Sequence, residues 1–175
     1  KLFFGTTPTP TYGVNGIWLG PTLIVNKGDS VQMNVKNNLT VPTTMHWHGL
    51  HVPAMCDGGP HQVINPGSTW SPKFKILNQA GTFWYHPHGA GKTELQVSKG
   101  IAGILLVKDS TEAKLNLPRT YGQDDFPVII QSKAFDLFNQ IAIANDMDTV
   151  MFVNGTLNPY LNLPAQVVRL RLLNG

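Results

Sequence analysis

Two short histidine words constrain this chain more than any other feature: His46-Trp47-His48-Gly49 and His86-Pro87-His88-Gly89. They use four of its six histidines. Side chains alternate faces along a strand, so an extended chain puts His46 and His48 on one side. The second word closes the segment Gly81-Thr82-Phe83-Trp84-Tyr85-His86, which is rich in aromatic residues. Pro87 forbids a helix interior there and limits the strand to an edge or an end, with His86 and His88 expected on one face. Backbone positions i and i+2 lie about 6.6 Å apart in a strand. A metal–imidazole bond is roughly 2 Å. Neighbouring imidazoles can therefore close on one ion or hold separate ions of a cluster, and four of them on two adjacent strands suit the cluster. Imidazole is a preferred ligand of copper, zinc and iron. A closed zinc site usually recruits paired cysteines, and this chain has one cysteine.

The rest of the sequence points to an all-β fold. Charged residues are sparse, while Gly, Pro, Asn and Thr are frequent, a balance that favours short strands joined by turns. Val14–Leu19 and Thr22–Val25 read as strands around Gly20-Pro21, and Asn26-Lys27-Gly28-Asp29 as a turn. Val31–Lys36 alternates apolar and polar, the pattern of a half-buried strand. Trp70–Leu77 and Gly81–His86 read as further strands, Thr93–Lys99 as a helical turn, and the apolar run Ile101–Val107 as a buried closing strand. Many short strands with frequent turns imply a Greek-key β-sandwich over residues 1–109. Residues 110–125 read as a linker. New strands at Phe126–Gln131, Thr149–Val153 and Gln166–Leu173 are too few for a sandwich, so residues 126–175 are expected to be a truncated second domain.

At 175 residues and a net charge of +3, the chain is long enough for a real core and has no basic block, so no nucleic-acid footprint is visible. No apolar stretch is long enough for a membrane span. Lys1-Leu2-Phe3-Phe4 is too short for a signal peptide, so any leader is expected to be removed or not included.

With these residues in view, the chain resembles the N-terminal part of a bacterial three-domain multicopper oxidase of the copper-efflux or laccase-like type. His46-Trp47-His48-Gly49-Leu50 matches the first copper word of that family, and Trp84-Tyr85-His86-Pro87-His88-Gly89 its second. Asp57-Gly58-Gly59-Pro60-His61-Gln62 with Pro66-Gly67 resembles the segment between them. Asn15-Gly16, Gly20-Pro21 and Lys27-Gly28-Asp29 resemble its opening strands, and Gly103–Val107 its closing strand. Asp124–Val128 and Arg169–Gly175 resemble the entry to its second domain.

The resemblance implies cupredoxin-like domains and a trinuclear copper cluster shared with a C-terminal domain. His46 would bind the type 2 copper, His48 and His86 one type 3 copper, and His88 the other. These are half of the histidines such a cluster takes. The type 1 copper needs a His₂Cys set; Cys56 has no flanking histidine, so that copper is expected outside this chain and the fragment alone is expected to be inactive. The implied activity of the whole protein couples one-electron oxidation of a small reducing substrate, Cu(I) or a phenol, to four-electron reduction of dioxygen to water. Asp57 resembles the family's acidic residue that assists proton delivery; by itself, Asp57-Gly58 reads as a turn. The implied location is periplasmic or secreted.

His51, His61 and the Met55-Cys56 pair are tempting extra ligands, yet each reads better as a surface or packing residue. Two other functional classes compete with the oxidase: a copper-binding module without turnover, and a two-domain laccase or nitrite reductase relative. Retention of all four histidines argues against loss of the copper site, and the linker with Asp124-Asp125-Phe126-Pro127 favours three domains. An unfinished second domain should expose apolar surface, so self-association of the fragment is expected.

Overall fold

The computed structural model describes residues 1–143 and 148–175. The first part of the chain holds β1 (Leu23–Asn26), β2 (Ser30–Gln32), β3 (Val35–Lys36), β4 (His46–His48), β5 (Thr69–Trp70), β6 (Lys73–Lys75), β7 (Gly81–His86) and β8 (Gly103–Lys108). A short helix, α1 (Thr93–Ser98), lies between β7 and β8, and 3₁₀ turns form at Ala54–Cys56 and Glu112–Lys114. The second part holds β9 (Asp125–Phe135), β10 (Ile141–Ala142), β11 (Val150–Val153), β12 (Thr156–Leu157) and β13 (Arg169–Asn174). The all-β expectation holds. Among the described residues no helix is long and apolar enough to cross a membrane.

The central layer is a four-stranded sheet in the order β1-β8-β7-β4, with β1 parallel to β8 and the other two pairings antiparallel. Two short ladders, β2 with β6 and β3 with β5, face it. Residues 31–36 alternate in burial as their pattern predicts, but they form two ladders instead of one strand. The facing chain carries Pro72, which has no N–H to donate, and the Met33 N–H bonds the Pro72 carbonyl at the break. Val14–Leu19 departs from expectation. It is a loop closed by the Val14 N–H on the Leu19 carbonyl, with Asn15 and Leu19 at φ of 54° and 56°. Asn15-Gly16 acts there as turn chemistry and overrides the apolar residues around it.

Strand alternation explains the packing. On one face of the central sheet Trp47, Tyr85, Leu105 and Val107 join Met45, Phe74 and Ile76 in the sandwich core. Each such side chain contributes about 1.5–3 kcal/mol on burial. Gly103 is required beside Tyr85, because a Cβ there would sit 2.2 Å from the phenol ring carbon. On the other face Ile104 and Leu106 pack with Leu19, Ala102 and Ile129 in a second cluster, against which Trp18, Trp84 and Leu173 also pack. β8 is thus buried on both faces, as its unbroken apolar run predicts.

That second cluster joins the two parts of the chain. β9 is the spine of the second sheet, in the order β10-β9-β11-β12, and β13 runs parallel to its first half. Phe3 sits edge-on to Trp18, Phe135 and Phe152 across the same junction. The segment expected as a linker is pinned. Glu112 pairs with Arg169, and Arg119 donates to the Ala113 and Leu115 carbonyls.

The strongest polar feature is the buried pair of Asp125 and Arg171. The guanidinium grips the carboxylate through two bonds, Nε to Oδ1 at 2.6 Å and Nη2 to Oδ2 at 2.7 Å. Removing one partner of such a pair strands a buried charge, at a cost of about 3–5 kcal/mol. Asp125→Ala should therefore lower stability by about that amount in urea unfolding, and adding Arg171→Met should restore most of it. Equal losses in the single and double variants would show that the pair is not coupled.

Candidate metal centre

The register of β4 and β7 builds the centre. His46 lies opposite His86, Trp47 opposite Tyr85, and His48 opposite Trp84. Trp47 and Tyr85 turn into the core, so the histidines emerge together on the other face. The ligand nitrogens of His46, His48 and His86 all lie within 4.8 Å of one another. The His88 ring is 5.3 Å from that of His46 and 6.2 Å from that of His86, centre to centre. All four are gathered, with His88 at the margin.

His88 does not share the strand. β7 ends at His86, because Pro87 cannot continue the ladder. The His88 N–H is instead taken by the hydroxyl of buried Thr44 at 2.6 Å. Thr44 carries no motif that sequence reading could have flagged; only the fold brings it to His88.

Hydrogen bonds set the free nitrogens. His46 donates from Nδ1 to the Asp57 carbonyl at 2.8 Å, and His86 donates from Nδ1 to the Pro87 carbonyl at 2.7 Å. Each keeps Nε2 as a lone-pair donor, the arrangement metal-binding histidines usually show. His48 turns Nδ1 toward His86 Nε2, 3.0 Å away. Burial pushes His86 down to about 4. Partial desolvation, together with His46 and His88 nearby, lowers His48. These two rings are therefore neutral at pH 7, the form that binds a metal ion. A convergent all-imidazole set fits copper.

Asp57 lies beside the cluster. Its carboxylate Oδ1 is 3.3 Å from His46 Nδ1, and its side chain is 39% exposed against 17% for His46. The loop is anchored by the Trp47 indole N–H on the Cys56 carbonyl at 3.0 Å. Cys56 itself is buried, with its thiol on the Lys73 carbonyl, and Met55 is exposed. His51 and His61 are also exposed, and neither belongs to the convergent group. Cys56 is the buried thiol expected and the two histidines are at the surface, but Met55, expected to pack, is 75% exposed.

Gly58 decides whether the Asp57 loop fits. Its φ is +75°, and a Cβ would stand 1.7 Å from the Met45 carbonyl oxygen. The neighbouring Gly59 has room, its nearest atom being the Gln62 amide oxygen at 3.8 Å. Gly58→Ala should displace the Asp57 carbonyl from His46 and weaken metal binding by about tenfold or more. Gly59→Ala should leave it unchanged. Chelator competition on both variants checks this, and equal affinities would remove the carbonyl from any part in holding His46.

Known proteins match this chain in sequence and in fold. The sequence model of the multicopper oxidase family matches residues 2–112. The "Multicopper oxidase mco" of Staphylococcus haemolyticus is 43% identical over 99% of this chain, and the cell division protein FtsP of Photorhabdus laumondii is 41% identical over 98%. The chain spans 39% and 37% of those two relatives. Among solved structures, a laccase-like multicopper oxidase, CueO, from Ochrobactrum sp. superposes with a TM-score of 0.85 at 38% identity, covering 93% of this chain and 38% of that one. A multicopper oxidase from Pediococcus acidilactici gives 0.86 at 37% identity, covering 94% and 36%. The fold is cupredoxin-like, and the chain belongs to the multicopper oxidase family.

Proposed function

We propose that this chain is the N-terminal part of an oxidase that couples one-electron oxidation of a small substrate, Cu(I) or a phenol, to four-electron reduction of dioxygen to water. The observation that carries the reading is the convergence of His46, His48 and His86 with His88 beside them. Copper would supply the electron storage and the dioxygen binding. In this reading His46 holds the type 2 ion, His48 and His86 share one type 3 ion, and His88 holds the other. The 3.0 Å approach of His48 Nδ1 to His86 Nε2 supports one shared ion for that pair. The remaining ligands and the type 1 copper would come from the C-terminal domains. Residues 1–109 would then be the first cupredoxin-like domain, 110–125 the connection, and 126–175 the opening strands of the second. We place the protein in the periplasm or outside the cell on the family likeness.

This chain's own groups then have defined tasks. The Asp57 and Pro87 carbonyls hold the protons of His46 and His86 on Nδ1, which aims both Nε2 atoms at the cluster. The Asp57 carboxylate, half in solvent and beside His46, would pass protons inward. The Asp57 carbonyl, 2.8 Å from His46 Nδ1 against 3.3 Å for the carboxylate, survives a side-chain substitution and would keep the ring in place.

Two measurements on the full-length protein test the reading. Copper analysis with oxygen uptake on Cu(I) and on a phenol should show bound copper and turnover, with both lost in His46→Ala and His86→Ala. Absence of copper from the intact protein would favour a non-catalytic role, of the kind the likeness to FtsP, a protein named for cell division, brings into view. Asp57→Asn should keep its copper and reduce dioxygen about a hundredfold more slowly. Copper loss in that variant would sink the relay.

A further inference from the structure

β7 carries Thr82, Trp84 and His86 on one face. Those three side chains meet different surroundings. Thr82 Oγ1 lies 3.4 Å from Arg171 Nη1, on β13 of the second sheet. Trp84 packs on the apolar cluster of Leu19, Ala102, Ile104, Leu106 and Ile129, which Leu173 of β13 also covers. His86 belongs to the metal centre. Trp84 therefore sits between the junction of the two sheets and the histidines.

Its indole is also the closest ring to His86. The centroids are 4.0 Å apart with planes inclined by 31°. The same indole lies 5.1 Å from the His48 ring, inclined by 32°. His46 and His86 are each held by a carbonyl. His48 leans on Trp84 and reaches His86 through Nδ1. A flat wall in contact with both rings limits their rotation about χ2, a torsion that is otherwise broad.

We propose that Trp84 is a positioning residue of the metal centre: its indole, backed by the apolar cluster on which the second sheet also packs, sets the ring planes of His48 and His86. This rests on the reading of the histidines as a copper half-site. It goes further by giving the junction between the two sheets a part in arranging that site. Groups that orient metal-binding histidines typically contribute about 10–100-fold in metal affinity. The indole does so by ring contact, where the Asp57 and Pro87 carbonyls do so by hydrogen bonds.

The test uses the full-length protein with Trp84→Leu, Trp84→Phe and, as a control, Ile76→Ala, which loosens the sandwich core on the opposite face of the central sheet. Copper release to a chelator, the absorption spectrum of the copper-loaded protein and the melting temperature are measured on each. Trp84→Leu should release copper on the order of tenfold faster and alter the spectrum. Trp84→Phe, which keeps a ring against His86, should restore most of both. Ile76→Ala should lower the melting temperature with release and spectrum unchanged. Release as slow in Trp84→Leu as in the parent overturns the proposal, and so does equally fast release in Ile76→Ala. Histidine-labelled NMR on the metal-free protein separates this from failure of the copper reading. If the parent takes up no copper, the half-site assignment falls, while the ring signals of His48 and His86 still decide the role of Trp84. They should be single and sharp in the parent and broadened or doubled in Trp84→Leu. Unchanged ring signals overturn the positioning role with or without copper.

Discussion

The pairing of β4 with β7 is the constraint on which the rest of this structure depends. It sets His46 against His86 and sends Trp47 and Tyr85 into the core between them. A slip by one residue would put the histidines into an apolar interior and the aromatic residues into the cluster, because side chains alternate with period two. The register is held by the large rings it buries. Trp47 stacks on Trp70, and Tyr85 reaches the Pro21 carbonyl with its hydroxyl. Hydrophobic burial and ligand convergence are thus two consequences of one ladder.

The same sheet serves two cores. β8 is buried on both faces, and its outer face, with Trp84 beside it, receives the second sheet through Ile129 and Leu173. The Asp125–Arg171 pair lies in this junction, fully hydrogen-bonded and away from water. A bidentate guanidinium–carboxylate pair has a narrow geometry, so it fixes β13 against β9, and Arg171 Nη1 lies 3.4 Å from Thr82 Oγ1 of β7. The histidines emerge on the same outer face. Packing of the second sheet and arrangement of the metal centre are therefore neighbours along one strand.

The chemistry of the centre follows from where protons are held. Two carbonyls, of Asp57 and Pro87, accept the Nδ1 protons of His46 and His86 and leave inward-facing lone pairs. Neither carbonyl belongs to a side chain, so no residue type announces it. Gly58 admits the Asp57 carbonyl by occupying a conformation and a space that a side chain would block. Family likeness explains that copper is the expected metal, while these bonds explain how this chain presents its nitrogens to it.

Much of the fold was legible because it follows from local rules. Alternation marked the histidine face of β4, the apolar run of β8 announced a strand buried on both sides, and the aromatic run Phe83-Trp84-Tyr85 marked β7. The two His-x-His words marked the candidate ligands, and the fold gathers all four rings although only the first word lies wholly on a strand. Local rules failed at Val14–Leu19, where Asn15-Gly16 closes a loop, and at Met33, where a distant Pro72 splits the ladder. His88 left the strand for the Thr44 hydroxyl, a partner 44 residues away. What only the tertiary structure decided was which nitrogens are free, which ring backs the histidines, and how Arg171 finds Asp125. The Asp57 carbonyl on His46, Trp84 beside His48 and Arg171 on Asp125 each join separate segments of the chain, and sequence spacing carries no information about contacts that only folding creates.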